Sequence, residues 1–187
     1  MIGQQDIIDM CNYEKLYCLE DMHRMEVSFL EMPGKSFWQF RMFDILQYNI
    51  RDLLKFGQQP IIINDTTRKI ELSTCVYYWT EQNETMTQIV ELEKVGTELE
   101  VINARISSFI TYGELADLYV AILDNDNCAI KSSKSMISED NTAWQTLLNA
   151  GYKMSVSPDM NEIVSVEEMV SFYGKEKKCY QYVVYPR

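Results

Sequence analysis

The chain has 187 residues, 47% hydrophobic and 12% aromatic, which is the size of one domain and enough to bury a core without disulfides or metals. Its formal net charge is −11, a sign that repels nucleic acid and anionic membranes and attracts basic partners. Seven Gly and four Pro leave little room for a linker or a low-complexity tail.

The first third reads as helical. Leu16, Leu19, Met22, Met25 and Phe29 recur at helical spacing, so a helix is expected over about 12–30, stopped by Pro33-Gly34. Ser36 and Gln39 have capping-box spacing, and Phe40, Phe43, Leu46, Ile50 and Leu53 form an apolar stripe that closes at Gly57. Leu46, Ile50 and Leu53 are expected in the core, as are the aromatics at the start of this helix.

The middle reads as strands. PIIIND and the stretch Thr67–Thr80 are rich in β-branched and aromatic residues, with a turn-like Asn83-Glu84 after them. The stretch 85–110 has two readings. As a hairpin, Gly96-Thr97 is a type II′ turn that pairs Val95 with Glu98, Glu93 with Glu100 and Leu92 with Val101. As a helix, Leu92, Val95, Leu99, Ile102, Ile106 and Phe109 follow a heptad spacing. The frequency of β-branched residues favours strands.

Ala116–Asp124 (ADLYVAILD) reads as a further strand with a turn over 125–127. Thr142 and Gln145 open a short helix that Gly151 stops, and Ser165 and Glu168 cap another that ends at Gly174. KCYQYVVYP alternates as an edge or closing strand does. The expected fold is α+β in one domain over 1–187: a helical N-terminal third, an antiparallel sheet in the middle, two short helices and a final strand.

The stretch TELEVINARISSF (97–109) resembles the short coiled-coil connectors of bacteriophage tail and baseplate appendage proteins, and GELADLYVAI is similar to the strand that follows them. The resemblance covers about residues 97–124. It implies a phage or mobile-element origin and the helical reading of this stretch, and it carries over no functional residue.

The residues show no catalytic constellation. His23 is the one histidine, in an acidic helical context, and reads as a surface residue. G-x-S-x-G, G-x-x-x-x-G-K-[ST] and G-x-G-x-x-G do not occur. Asp124-Asn125-Asp126-Asn127 begins like a calcium loop, but Cys128, Ala129 and Ser135 stand where ligand, Gly and Glu are needed. No metal and no cofactor are expected. The five cysteines, at 11, 18, 75, 128 and 179, are odd in number and form no C-x-x-C, so all five are expected as reduced thiols in a cytoplasmic protein. The N-terminus lacks a signal-peptide pattern. N-x-T triplets at Asn64 and Asn83 carry no weight without one.

The charge is uneven. Residues 1–60 hold 6 basic and 9 acidic side chains, residues 61–126 hold 4 and 12, and residues 127–187 hold 7 and 7. In the hairpin reading Glu91, Glu93, Glu98 and Glu100 share one face, with Glu93 opposite Glu100. Like charges so placed destabilise a sheet unless a cation meets them. The expected function is therefore a non-enzymatic acidic protein that binds a basic protein or nucleoprotein surface through those four residues. The form expected is a phage or mobile-element inhibitor of a nucleic-acid-handling protein such as a CRISPR nuclease. The alternative is a virion tail or baseplate component assembling through a short coiled coil, and the third reading is a metal-dependent hydrolase built on dispersed carboxylates.

Overall fold

The computed structural model describes residues 37–107, 112–133, 141–172 and 180–187. The expected helix over 12–30, the Ser36 cap, His23, Gly174 and Cys11, Cys18 and Cys179 lie outside the described residues. Cys75 and Cys128 are free thiols.

The described chain begins with helix α1 (Phe37–Lys55). Leu46 and Ile50 are buried and Leu53 is half-buried, as the apolar stripe requires. Gly57 ends the helix at φ +94, with Gln58 N donating to Leu53 O and Gly57 N to Leu54 O. That pair of bonds is the Schellman closure, which a residue with a Cβ adopts only at a cost.

Nine strands follow: β1 (Ile61–Ile62), β2 (Thr67–Glu71), β3 (Cys75–Gln82), β4 (Thr85–Val95), β5 (Glu98–Ile106), β6 (Ile130–Lys131), β7 (Met154–Ser157), β8 (Asn161–Glu162) and β9 (Gln181–Val184). They form one sheet in the order β1-β2-β3-β4-β5-β6-β9-β7-β8. Every pair is antiparallel except β5 with β6, which is parallel. Between β5 and β6 lie a 3-10 turn (Tyr112–Glu114) and helix α2 (Leu115–Asp126). Helices α3 (Asn141–Asn149) and α4 (Val166–Phe172) come later.

This corrects the expected fold class. A mixed nine-stranded sheet dominates, with helices distributed along the chain, in place of a helical N-terminal third followed by an antiparallel sheet. Two local errors explain much of the difference. Leu115, Leu118, Tyr119, Ile122 and Leu123 are all buried on one side of α2. Their three- and four-residue spacing is a helical period, which an apolar run read as a strand conceals. The segment QYVV, expected as an edge or closing strand with alternating faces, is buried throughout and sits between β6 and β7.

The hairpin reading of 85–106 holds residue for residue at its tip. Val95 pairs with Glu98, Lys94 with Leu99, Glu93 with Glu100 and Leu92 with Val101. Gly96 has φ +61 and Asn83 and Glu84 have φ +50 and +62, the left-handed values that tight hairpin turns demand. The heptad helix over this stretch is not formed.

The sheet is covered on both faces. One face packs Ile70, Tyr77, Trp79, Met86 and Ile89 against Leu46 and Ile50 of α1. The other packs Val76, Tyr78, Val90, Leu92, Leu99 and Val101 against α2, α3 and α4, with Trp144 stacked between Tyr119 and Tyr182 at centroid distances of 5.0 and 6.3 Å.

Two stability outcomes follow from this packing. Leu46→Ala should cost about 2–5 kcal/mol in urea melts, and Leu53→Ala less, because only Leu46 is fully enclosed. Gly96→Ala should cost about 1 kcal/mol. Nothing lies within 4 Å of a Cβ built there, so that loss is conformational and Gly96→Asn should recover part of it.

Candidate functional site

Parallel pairing between β5 and β6 lasts two residues, Leu99 with Ile130 and Glu100 with Lys131. One residue later β5 departs from regular pairing with β4. Leu92 faces Val101 and Glu91 faces Asn103, so Ile102 is an extra residue. A bulge bends its strand and re-aims the residues beyond it. Here it carries β5 away from β6. Among the described residues, no strand pairs with 102–106 on that side, so the described β5–β6 ladder ends in a wedge at Glu100 and Lys131.

A polar knot closes the vertex of the wedge. Gln181 Nε2 donates to Ser132 O at 2.7 Å and to Glu100 Oε1 at 3.1 Å, and Tyr182 N donates to Ser132 Oγ at 2.9 Å. Ser132 is fully buried and Gln181 is 4% exposed. The mouth of the wedge lies where β5 ends and α2 begins. Gln88 of β4, opposite Ile106, donates from Nε2 to Glu114 O at 3.0 Å. Among the described residues the buried side-chain polar atoms without a partner are Gln88 Oε1, Arg105 Nε and Asn141 Oδ1. The first two sit at the end of the β4–β5 pair and the third opens α3. Buried polar atoms are nearly always bonded, which sets these three apart; Gln88 faces α2, whereas Arg105, opposite Ile89, lies on the α1 face.

On the α1 side of the bulge, three strands contribute one polar group each. Glu91 accepts from Tyr77 OH at 2.9 Å and from Asn103 Nδ2 at 2.8 Å. Burial pushes the Tyr77 phenol well up, and the Glu91 carboxylate adds to it. Tyr77 therefore stays a donor, and Glu91 is held in place by two donors while keeping free lone pairs.

On the opposite face a second network holds the end of α2. Lys69 is 6% exposed and bonds Asp126 Oδ1 at 2.5 Å and Glu71 Oε2 at 3.1 Å. Tyr78 OH donates to Asp126 Oδ2 at 3.0 Å, Asn125 Nδ2 donates to Tyr78 OH at 2.7 Å, and Lys94 Nζ meets Glu71 Oε1 at 2.6 Å. Burial works to lower the Lys69 pKa, but its bonds to Asp126 and Glu71 outweigh it and hold the value above 10.5. Burial, then Asp126, raise Tyr78. Lys94 and Lys69 lower Glu71 below 4.5. Burial and Asp126 raise the nearby Cys128 thiol, which keeps it an unreactive neutral group.

The hairpin register sets Glu93 opposite Glu100, and the four glutamates expected to meet a partner differ in their surroundings. Glu91 is in the triad at the bulge and Glu100 is at the vertex of the wedge. Glu93 is exposed and Glu98 half-buried near the hairpin tip. Tyr77, Asn103, Gln181, Ser132 and Lys69 were not singled out in the sequence, and Asp126 was weighed only as part of a calcium-like loop. Asp124–Asn127, expected as a turn, is the last turn of α2 with Asn127 left-handed at φ 48. Among the described residues no group of three or more His, Cys, Asp or Glu could hold a metal, and no helix is long and apolar enough to cross a membrane.

No family model and no curated protein matches the chain. Two solved structures of the Campylobacter jejuni N-acetyltransferase PseH, one in complex with acetyl coenzyme A, overlay 88% of this chain at 12% identity and a TM-score of 0.39. The overlay covers 91% and 90% of their chains. The expected non-enzymatic inhibitor, docking through the four glutamates, is corrected: Glu91 and Glu100 are bonded within the sheet. The coiled-coil virion component is corrected because 98–106 is a strand.

The ion network sets a pH window. Glu71, lowered, stabilises the fold above pH 4.5 and loses that contribution as pH falls through its folded value. Lys69 and Tyr78, raised, stabilise below 10.5 and 10.0 and lose their contribution as pH rises. Urea midpoints measured against pH should decline on both sides. Lys69→Met should make the acid-side decline shallower, because Glu71 then keeps only Lys94.

Proposed function

We propose that the chain is a small-molecule acyltransferase that lays an extended, amide-bearing acyl donor along the open edge of β5. The observation that carries this reading is the bulge at Ile102, beyond which no described strand pairs with β5 on the β6 side. Crevices where a parallel strand pair separates, next to the helix that joins the two strands, are where open α/β sheets take their ligands. A free strand edge recognises amides by ladder bonding.

Acetyl coenzyme A, the ligand of one of the acetyltransferase structures, is a donor of this class: when bound it would supply an activated acyl group on an arm that contains amides. The edge over 102–106 fits the arm. Arg105 Nε, buried and unpartnered, is a donor for an anionic end, and Arg105 is the one basic residue between Lys94 and Lys131. Glu114 and Asp117 at the start of α2 oppose a phosphate there, so affinity rests on the arm more than on the phosphates.

Glu91 is the base. It stands at the bulge on the α1 side, fixed by Tyr77 and Asn103, and takes the proton of an incoming amine at its carboxylate. Tyr77 keeps its own proton and so continues to orient Glu91.

Titration calorimetry with acetyl coenzyme A, together with amide NMR shifts, tests the reading. Binding should move the amides of 102–106, and thiol should be released when primary amines are added. Absence of binding, or shifts confined to other strands, overturns it. Glu91→Gln should lower kcat by about a hundredfold or more and leave donor affinity nearly unchanged.

A further inference from the structure

Leu115, Leu118, Ile122 and Leu123 bury one side of α2 in apolar packing, which is non-directional. Side-chain bonds fasten the helix near both ends. Gln88 holds Glu114 O at the start. Lys69 and Tyr78 hold Asp126 at the finish. The finish matters more for the crevice. Asp126 is followed by the left-handed Asn127, by Cys128 and by Ala129, whose carbonyl accepts from Leu99 N at 3.0 Å, and β6 begins at Ile130. β6 is held on its other side by β9, Ile130 with Val184 and Lys131 with Val183, so the end of α2 sets where the strand begins and the ladders hold it from there.

We propose that Asp126 is a positioning residue: by closing on Lys69 and Tyr78 it fixes where α2 ends and therefore where β6 begins beside β5. The buried ammonium of Lys69 makes the contact firm. Its described partners are Asp126, Glu71 and the Tyr78 ring at 5.4 Å from the centroid. Withdrawing Asp126 strands a charge away from water, which is far costlier than the loss of an exposed pair. Asn125 adds a bond to Tyr78 OH and to Asp126 Oδ1, so both carboxylate oxygens are engaged. A pocket of about 170 Å³ remains between this latch and the hairpin tip at Gly96–Leu99, and that space lets the end of the helix shift when the latch is cut.

The inference extends the donor crevice proposed above, but its first readout does not need a donor. Lys69→Met with Asp126→Leu replaces the ion pair by apolar groups, and Tyr78→Phe removes a single bond. Hydrogen exchange at Leu99 N–H reports directly on the link to Ala129. Its protection should fall about tenfold or more in the double variant and less in Tyr78→Phe, with the amides of the β3–β4 pair unchanged. With acetyl coenzyme A, KM should rise while kcat holds, and Asp126→Glu should recover part of the affinity. Unchanged Leu99 exchange in a double variant that unfolds cooperatively overturns the latch. If the double variant does not fold, unchanged exchange in Tyr78→Phe overturns it alone. If the wild type does not bind acetyl coenzyme A, the donor reading fails and Leu99 exchange still judges the latch.

Discussion

β5 carries Ile102 between two partners of β4, and a strand with one residue too many must bend. Before that point β5 is held on both sides, by β4 and by β6. Beyond it, among the described residues, the strand pairs with β4 alone. Much of what is distinctive in this molecule lies along the resulting opening: the knot of Gln181 and Ser132 at its vertex, the Glu91 triad at the bend, and the unpartnered atoms of Gln88 and Arg105 at its mouth.

The two sheet faces then divide the work. The α1 side places a carboxylate beside the opening, between a phenol and an amide. The α2 side supplies the span that leads into β6. Each side has its own apolar cluster, so a substitution on one face can be read without first assuming damage on the other. That separation makes the Glu91 and Asp126 variants informative together. One should act on the chemical step, the other on donor binding.

Part of this was legible in the sequence. The hairpin tip was readable because Gly96 sits where a type II′ turn needs it, and turn chemistry fixes register over its immediate neighbours. The helix caps at Gly57 and Gly151 were readable for the same reason. Alternation could also have exposed the bulge, since Val101 and Ile102 are adjacent apolar residues in a strand that otherwise alternates, and a continued register would have set Glu91 opposite Ile102. The α2 segment was misread because its helical spacing lies within an almost unbroken apolar run, where period and composition point different ways. The candidate site was out of reach. Glu91, Tyr77 and Asn103 come from three strands and Gln181 from a fourth, 81 positions from Glu100, and no local pattern links them.

The interior place of β9 has a kinetic consequence. It is the last strand in sequence order, yet it fills the slot between β6 and β7. During synthesis the two halves of the sheet therefore leave the ribosome with a gap one strand wide, and both facing edges stay unpaired until the final segment threads between them. Long-range pairing of this kind is slow, and exposed edges invite pairing with other chains meanwhile. A nascent chain stalled before β9 would be a sticky half-sheet, whatever the stability of the finished molecule.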